Sequence, residues 1–116
     1  ASLIETLKQY KVEWLDLSAK IGEAAMQNPD EAGGAAVDYL MYSGYVTLAY
    51  FWARMAIVAQ RKISAAGGDD MQFYEAKLMT ARFYYDRLLP RTAGHRETML
   101  SGASNLMDMP EAMFDL

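Results

Sequence analysis

The side chains of this sequence that could do acid–base, nucleophilic or metal chemistry are few and scattered. His95 is the sole histidine, and His95-Arg96-Glu97-Thr98-Met99 lacks the second histidine that a zinc-binding H-E-x-x-H helix requires. No Glu-x-x-His pair occurs, so the ligand pattern of a ferritin-like di-iron bundle is missing. With no cysteine there is no thiolate nucleophile, no disulfide framework and no thiolate metal site, which fits a reducing, cytoplasmic setting. There is no G-x-G-x-x-G and no phosphate loop. Ser43, Ser64 and Ser101 have no nearby His–acid partnership in the sequence. No catalytic, cofactor-binding or metal residue is assigned.

What remains is cationic. Arg54 stands in a segment that is otherwise apolar, so its guanidinium must be paired or reach water. In a hairpin folded around Gly67-Gly68, Arg54 comes level with Ala81 and Arg82, about a turn from Asp86. An ion pair is then the structural reading, and a ligand carboxylate or phosphate the functional one. Arg87, Arg91 and His95 fall at i, i+4 and i+8, a single ridge if Pro90 only bends its helix. Positive charge is favoured near a helix C-terminus by the dipole, so the ridge reads as a solvated face. The alternative is a contact for acidic partner residues or for the phosphates of a nucleotide. Arg54, Arg87, Arg91 and His95 are the candidate ion-pair or anion contacts.

The totals narrow the classes. The 116 residues are the size of one ordinary domain, and 53% hydrophobic with 22% charged residues supplies one core and a charged surface. A net charge of -4 argues against nucleic acid as a partner. The apolar stretch Val37–Lys62 invites a membrane reading, but Asp38 and Arg54 bracket an uncharged run of only about 22 Å at ~1.5 Å per residue. A bilayer core is roughly 30 Å thick, so a helix wrapped by other helices is expected. No secretory signal pattern is present. The chain opens directly on a helix, which suggests a fragment from a longer protein.

Three long helical segments must position these groups. Ser2-Leu3-Ile4-Glu5 reads as a capping box, and Leu3, Leu7, Tyr10, Trp14, Leu17 and Ile21 recur at helical spacing to form one apolar stripe ending near Gln27. Asn28-Pro29-Asp30-Glu31 starts a second helix. Gly33-Gly34 weakens that start at about 1 kcal/mol per glycine and reads as a boundary, so the helix is secure only from Ala35 to Ala65. It is apolar nearly all round between Tyr39 and Ala59 and should be covered on several sides. Its aromatics, Tyr39 to Trp52, read as core or subunit interface. Gly67-Gly68 ends it, and Asp69 can cap the third helix. Pro90 kinks or splits that helix. A loop at Gly102-Ala103-Ser104 precedes a short apolar tail, Leu106 to Phe114. The class is all-α, an up-and-down bundle of three long helices, the third kinked or split at Pro90, plus a short C-terminal segment.

The order of these pieces resembles a known family. Val37-Asp38-Tyr39-Leu40, the aromatic helix to Arg54-Met55-Ala56, the stretch Phe73 to Tyr84 (FYEAKLMTARFY), Leu88-Leu89-Pro90 and the Gly102-Ala103 turn together are similar to the extra C-terminal domain of long acyl-CoA dehydrogenases. The type is that similar to 3-methylmercaptopropionyl-CoA dehydrogenase. The likeness covers essentially the whole chain, with FYEAKLMTARFYYDRLLP its most specific part. It implies a parent that binds FAD and oxidises an acyl-CoA between its α and β carbons, a glutamate base taking the α-proton and the flavin the β-hydride. Those groups belong to upstream domains, so no catalytic residue carries over, and Glu75 is not a substitute base. The resemblance implies a single non-catalytic accessory or assembly domain over residues 1–116. Its expected partners are the upstream dehydrogenase domains or a neighbouring subunit, with acyl-CoA bound by the parent. The alternative is an independent helical protein-interaction or membrane-surface module, motivated by the aromatic second helix and the Met-rich tail from Leu106 to Phe114. The tail's acids, Asp108, Glu111 and Asp115, count against anionic membranes.

Overall fold

A computed structural model describes residues 2–65 and 70–115. Helix α1 spans Ser2–Gln27, α2 Asp30–Ser64 and α3 Met71–Phe83. A π-helical turn (Tyr84–Leu88) and a 3-10 turn (Leu89–Arg91) lead into α4 (Thr92–Met99), and a short α5 (Ser104–Met107) precedes a last 3-10 turn (Glu111–Asp115). Among the described residues there is no strand. The expected all-α class and up-and-down order hold. Ser18 bonds Tyr39 while Glu13 bonds Tyr42, so α1 runs antiparallel to α2. Tyr85 reaches Ala49 while His95 reaches Asp38, so the third helical stretch does the same. The Gly67-Gly68 turn and the Asp69 cap lie outside the described residues, as does the Ser2 side chain of the capping box.

The stripe on α1 lies where its periodicity puts it. Leu17 is fully buried, and Tyr10, Trp14 and Ile21 pack around it with Tyr42 and Val46, while Leu3 and Leu7 close over Ala49, Ala53, Tyr84 and Leu89. Helix α2 begins as its residues suggest, with Asn28 Oδ1 accepting the Asp30 amide at 3.1 Å. It runs unbroken through Gly33-Gly34, so these glycines sit inside the helix and not at a boundary. Tertiary contact offsets their poor propensity at Gly34, where an added Cβ would stand 3.4 Å from both Cα and Cβ of Ala103. The tail crosses α2 closely there. Gly102 makes that approach with φ of 86°, a left-handed conformation open to glycine.

The third stretch is split, and the break is prepared one turn before Pro90. The Leu89 amide bonds the Tyr84 carbonyl, a wider i→i−5 loop. Proline at the next position has no amide and its ring would press on the carbonyl four residues back; the widened turn relaxes that helix before the ring arrives. The chain then tightens into 3-10 geometry, and the Thr92 amide bonds Leu89 and Pro90 carbonyls to restart α4.

Helix α2 departs from expectation in its cover. Only one of its faces is buried, through Ala35, Tyr42, Val46, Ala49, Ala53, Ala56 and Ala59. Val37 and Leu40 on the other side are about 70% exposed, and Leu48 and Phe51 about half. The reason is the shape. The molecule measures 68 × 32 × 15 Å with a radius of gyration of 19.6 Å, against about 13 Å for a compact domain near this length. A slab this thin cannot surround its central helix. Among the described residues no helix is long and apolar enough to cross a membrane.

Two glycines should respond oppositely to alanine. Gly102→Ala forces a side chain into left-handed backbone and should lower stability by about 1 kcal/mol. A Cβ at Gly33 meets nothing within 4 Å, so Gly33→Ala should raise it by about 0.5–1 kcal/mol. Urea unfolding of the two variants checks the sign of each.

Candidate functional site

The polar groups of the interior gather where α1 crosses α2 and α4. Tyr42, with no exposed surface, donates to Glu13 Oε1 at 2.5 Å. Arg96 donates to Glu13 Oε2 at 3.1 Å, so one carboxylate ties α1 to both neighbours. A 3.3 Å hydrogen bond joins the Thr92 and Tyr10 hydroxyls, and Thr92 also donates to the Leu89 carbonyl at 2.7 Å. A small polar cleft of 200 Å³ opens beside Glu13, Thr92 and Arg96. Burial, and then the Glu13 carboxylate, push the Tyr42 phenol far above its usual range. The phenol is thereby held as a hydrogen-bond donor to Glu13.

Two further phenols serve the fold. Tyr84 and Tyr85, in the π-helical turn, donate to the backbone carbonyls of Tyr45 (2.5 Å) and Ala49 (2.7 Å) on α2. Burial pushes both up to about 12, Tyr84 with added repulsion from Tyr45 and Tyr85. The widened turn therefore sets two successive tyrosines against α2, and their hydroxyls fasten it there.

A cleft of 480 Å³ lies between the start of α1, the second half of α2 and α3. Its floor is apolar (Leu3, Ile4, Ala53, Ala56, Leu78), with Gln60, Arg61, Ser64 and Arg82 among its other walls. Among the described residues its lining includes no carboxylate, histidine or tyrosine, and its apolar floor can receive an apolar chain. Among the described residues no three His, Cys, Asp or Glu side chains gather as a metal site would need.

The four cationic candidates do not assemble. Arg54 is exposed with its guanidinium 5.8 Å above the Tyr50 ring. Among the described residues no carboxylate lies within ion-pair distance of it, so the Asp86 pair is not made. Arg87 and Arg91 are exposed. His95 leaves their ridge and turns onto α2, where its Nδ1 is 2.8 Å from Asp38 Oδ1 and its ring 5.9 Å from that of Tyr45. The π and 3-10 turns break the i, i+4, i+8 phase that a continuous helix would have kept. Sequence reasoning did not single out Glu13, Tyr42 and Arg96. Glu13 flanks the α1 stripe one residue before Trp14, and that was the signal available.

The profile of the family described as "Acetyl-CoA dehydrogenase C-terminal like" matches residues 1–110. The chain belongs to that family. Over 85 residues this C-terminal-like domain is 32% identical to the broad-specificity linear acyl-CoA dehydrogenase FadE5 of Mycobacterium tuberculosis, covering 72% of the chain and 14% of the relative. Over 61 residues it is 36% identical to the butyryl-CoA dehydrogenase of Syntrophomonas wolfei, covering 51% of the chain and 10% of that relative. The matches thus occupy between a tenth and a seventh of the relatives' lengths. No solved structure matches the chain. The resemblance read from FYEAKLMTARFYYDRLLP therefore holds at the level of acyl-CoA dehydrogenases. In this domain Glu13, Tyr42, Arg96, Tyr84 and Tyr85 are engaged in joining helices, while Trp14 Nε1 and Ser43 Oγ are buried without a hydrogen-bond partner among the described residues.

Stability should depend on these phenols in a defined pH window. Their folded pKa values lie above the ordinary ~10, so their contribution is complete below pH 10 and is lost as pH rises towards about 12. Tyr84→Phe/Tyr85→Phe should flatten the alkaline loss of stability and cost about 1 kcal/mol per hydroxyl at pH 7. Tyr42→Phe, losing a bond to a carboxylate, should cost about 2 kcal/mol. Urea titrations at several pH values measure all three.

Proposed function

We propose that this chain is the non-catalytic accessory domain at the C-terminal end of a FAD-dependent acyl-CoA dehydrogenase, one whose parent oxidises straight-chain acyl-CoA at the α,β-carbons. The observation that carries the reading is the family match over residues 1–110, on a chain whose buried Tyr42, Tyr85 and Glu13–Arg96 groups are spent on helix-to-helix bonds. The printed names of both relatives, a linear acyl-CoA and a butyryl-CoA dehydrogenase, favour a straight-chain thioester. A parent of the 3-methylmercaptopropionyl-CoA type is the finer form of the proposal. Flavin and acyl-CoA would be held by the upstream domains, and this domain would bind to them or to a neighbouring subunit.

Its thin shape supports that role. A slab with bare apolar sides is incomplete as a free-standing body and suited to lie against another. The large cleft faces the start of α1, where an upstream chain would enter, and Arg61 and Arg82 beside it can meet carboxylates there.

The test uses the complete natural polypeptide. It should purify yellow, and its flavin absorbance should bleach without an electron acceptor when one thioester of a panel is added, butyryl-CoA and 3-methylmercaptopropionyl-CoA included. The isolated domain should hold no flavin. A colourless full-length protein would sink the dehydrogenase reading, and FAD bound by the isolated domain would sink the non-catalytic one.

A further inference from the structure

The exposed side of α2, opposite its buried alanine face, carries a second pattern. Val37, Met41, Gly44, Leu48, Phe51, Met55 and Val58 follow one another in alternating steps of four and three, the spacing of a left-handed helix–helix seam. All of them are exposed, and neither charged residue of this stretch, Asp38 or Arg54, falls on the stripe. From Val37 to Val58 the seam runs roughly 32 Å at ~1.5 Å per residue.

The stripe reads nearly alike from either end. About Leu48, Val37 answers Val58, Met41 answers Met55, and Gly44 answers Phe51. Two copies of α2 laid antiparallel across a two-fold axis at Leu48 would match valine to valine and methionine to methionine. Each Phe51 ring would then seat over the glycine of the other copy. That hole is open, because a Cβ built on Gly44 meets nothing within 4 Å. The helix ends agree with the same direction. Asp30 and Glu31 occupy the first turn of α2, and Arg61 and Lys62 the last. Antiparallel pairing brings acid towards base at both ends, whereas parallel pairing would set like charges together.

We propose that α2 pairs with the α2 of a second copy of this chain, antiparallel, through the Val37–Val58 seam. The contact is isologous, since each residue of one copy meets its counterpart's partner in the other. Phe51 is the knob and Gly44 the hole, and Leu48 sits on the axis. This deepens the assembly role proposed above and rests on that reading for its place within a dehydrogenase.

The experiment is light scattering of the complete polypeptide at tens of micromolar. Leu48→Glu puts two carboxylates on the axis and should halve the particle mass. Val12→Glu, on an exposed position of α1, should leave the mass unchanged. Lys62→Glu should weaken association about tenfold, and adding Asp30→Lys should restore it, because only antiparallel copies bring those positions within a turn of each other. An unchanged mass for Leu48→Glu overturns the proposal. So does an unchanged mass accompanied by faster proteolytic release of this domain, which would assign the seam to an upstream segment of the same chain. Failure of Asp30→Lys to rescue Lys62→Glu overturns the antiparallel register. Flavin bleaching is read separately on the same samples, so a halved mass in a colourless protein would keep the pairing and remove the dehydrogenase.

Discussion

Small side chains along one face of α2 are the constraint on which the rest depends. Ala49, Ala53, Ala56 and Ala59 are all buried, and none projects far enough to hold a neighbour away. The start of α1 and the π-helical turn can therefore settle on the same stretch of α2, with Leu3, Leu7, Tyr84 and Tyr85 filling what the alanines leave. Close approach also puts the tyrosine hydroxyls within reach of α2's own carbonyls. A backbone carbonyl already engaged in a helix keeps a second lone pair free, and these phenols use it. Large residues on one partner and small ones on the other thus give the layer both its packing and its fasteners.

That one-sidedness explains how much could be read beforehand. The α1 stripe, the Asn28 cap, the break near Pro90 and the antiparallel order follow from local signals, because each rests on residues a few positions apart. The cover of α2 does not. A helix apolar all round looks the same whether its far side meets a neighbour within the chain or one outside it, and only the 15 Å thickness of the slab decides. Gly33-Gly34 misled for a related reason. Propensity favours a break there, while the contact with Ala103 comes from far along the sequence.

The candidate site divides the same way. His95 was visible as the single histidine, and its partner Asp38 was visible as one of two charges flanking the apolar run. Their meeting across α2 and α4 needed the fold. The Arg87-Arg91-His95 ridge assumed one uninterrupted helical phase, which two non-α turns remove. Glu13 was passed over because a carboxylate beside an amphipathic stripe usually faces water. Here it receives Tyr42 and Arg96 from two other helices. Arg54, the most conspicuous charge, lies over the Tyr50 ring.

The π-helical turn has a bearing on length as well as on shape. It holds one residue more than an α-turn would, and α4 inherits its rotational setting from that count. The surplus position is absorbed within Tyr84–Leu88, so α4 keeps the phase that turns His95 and Arg96 towards Asp38 and Glu13. Closing that turn as ordinary α-helix with every residue retained would rotate α4 by about 100° and carry both side chains off their partners. The fold therefore stores one extra residue in the widened turn, and the latches on α1 and α2 hold it open.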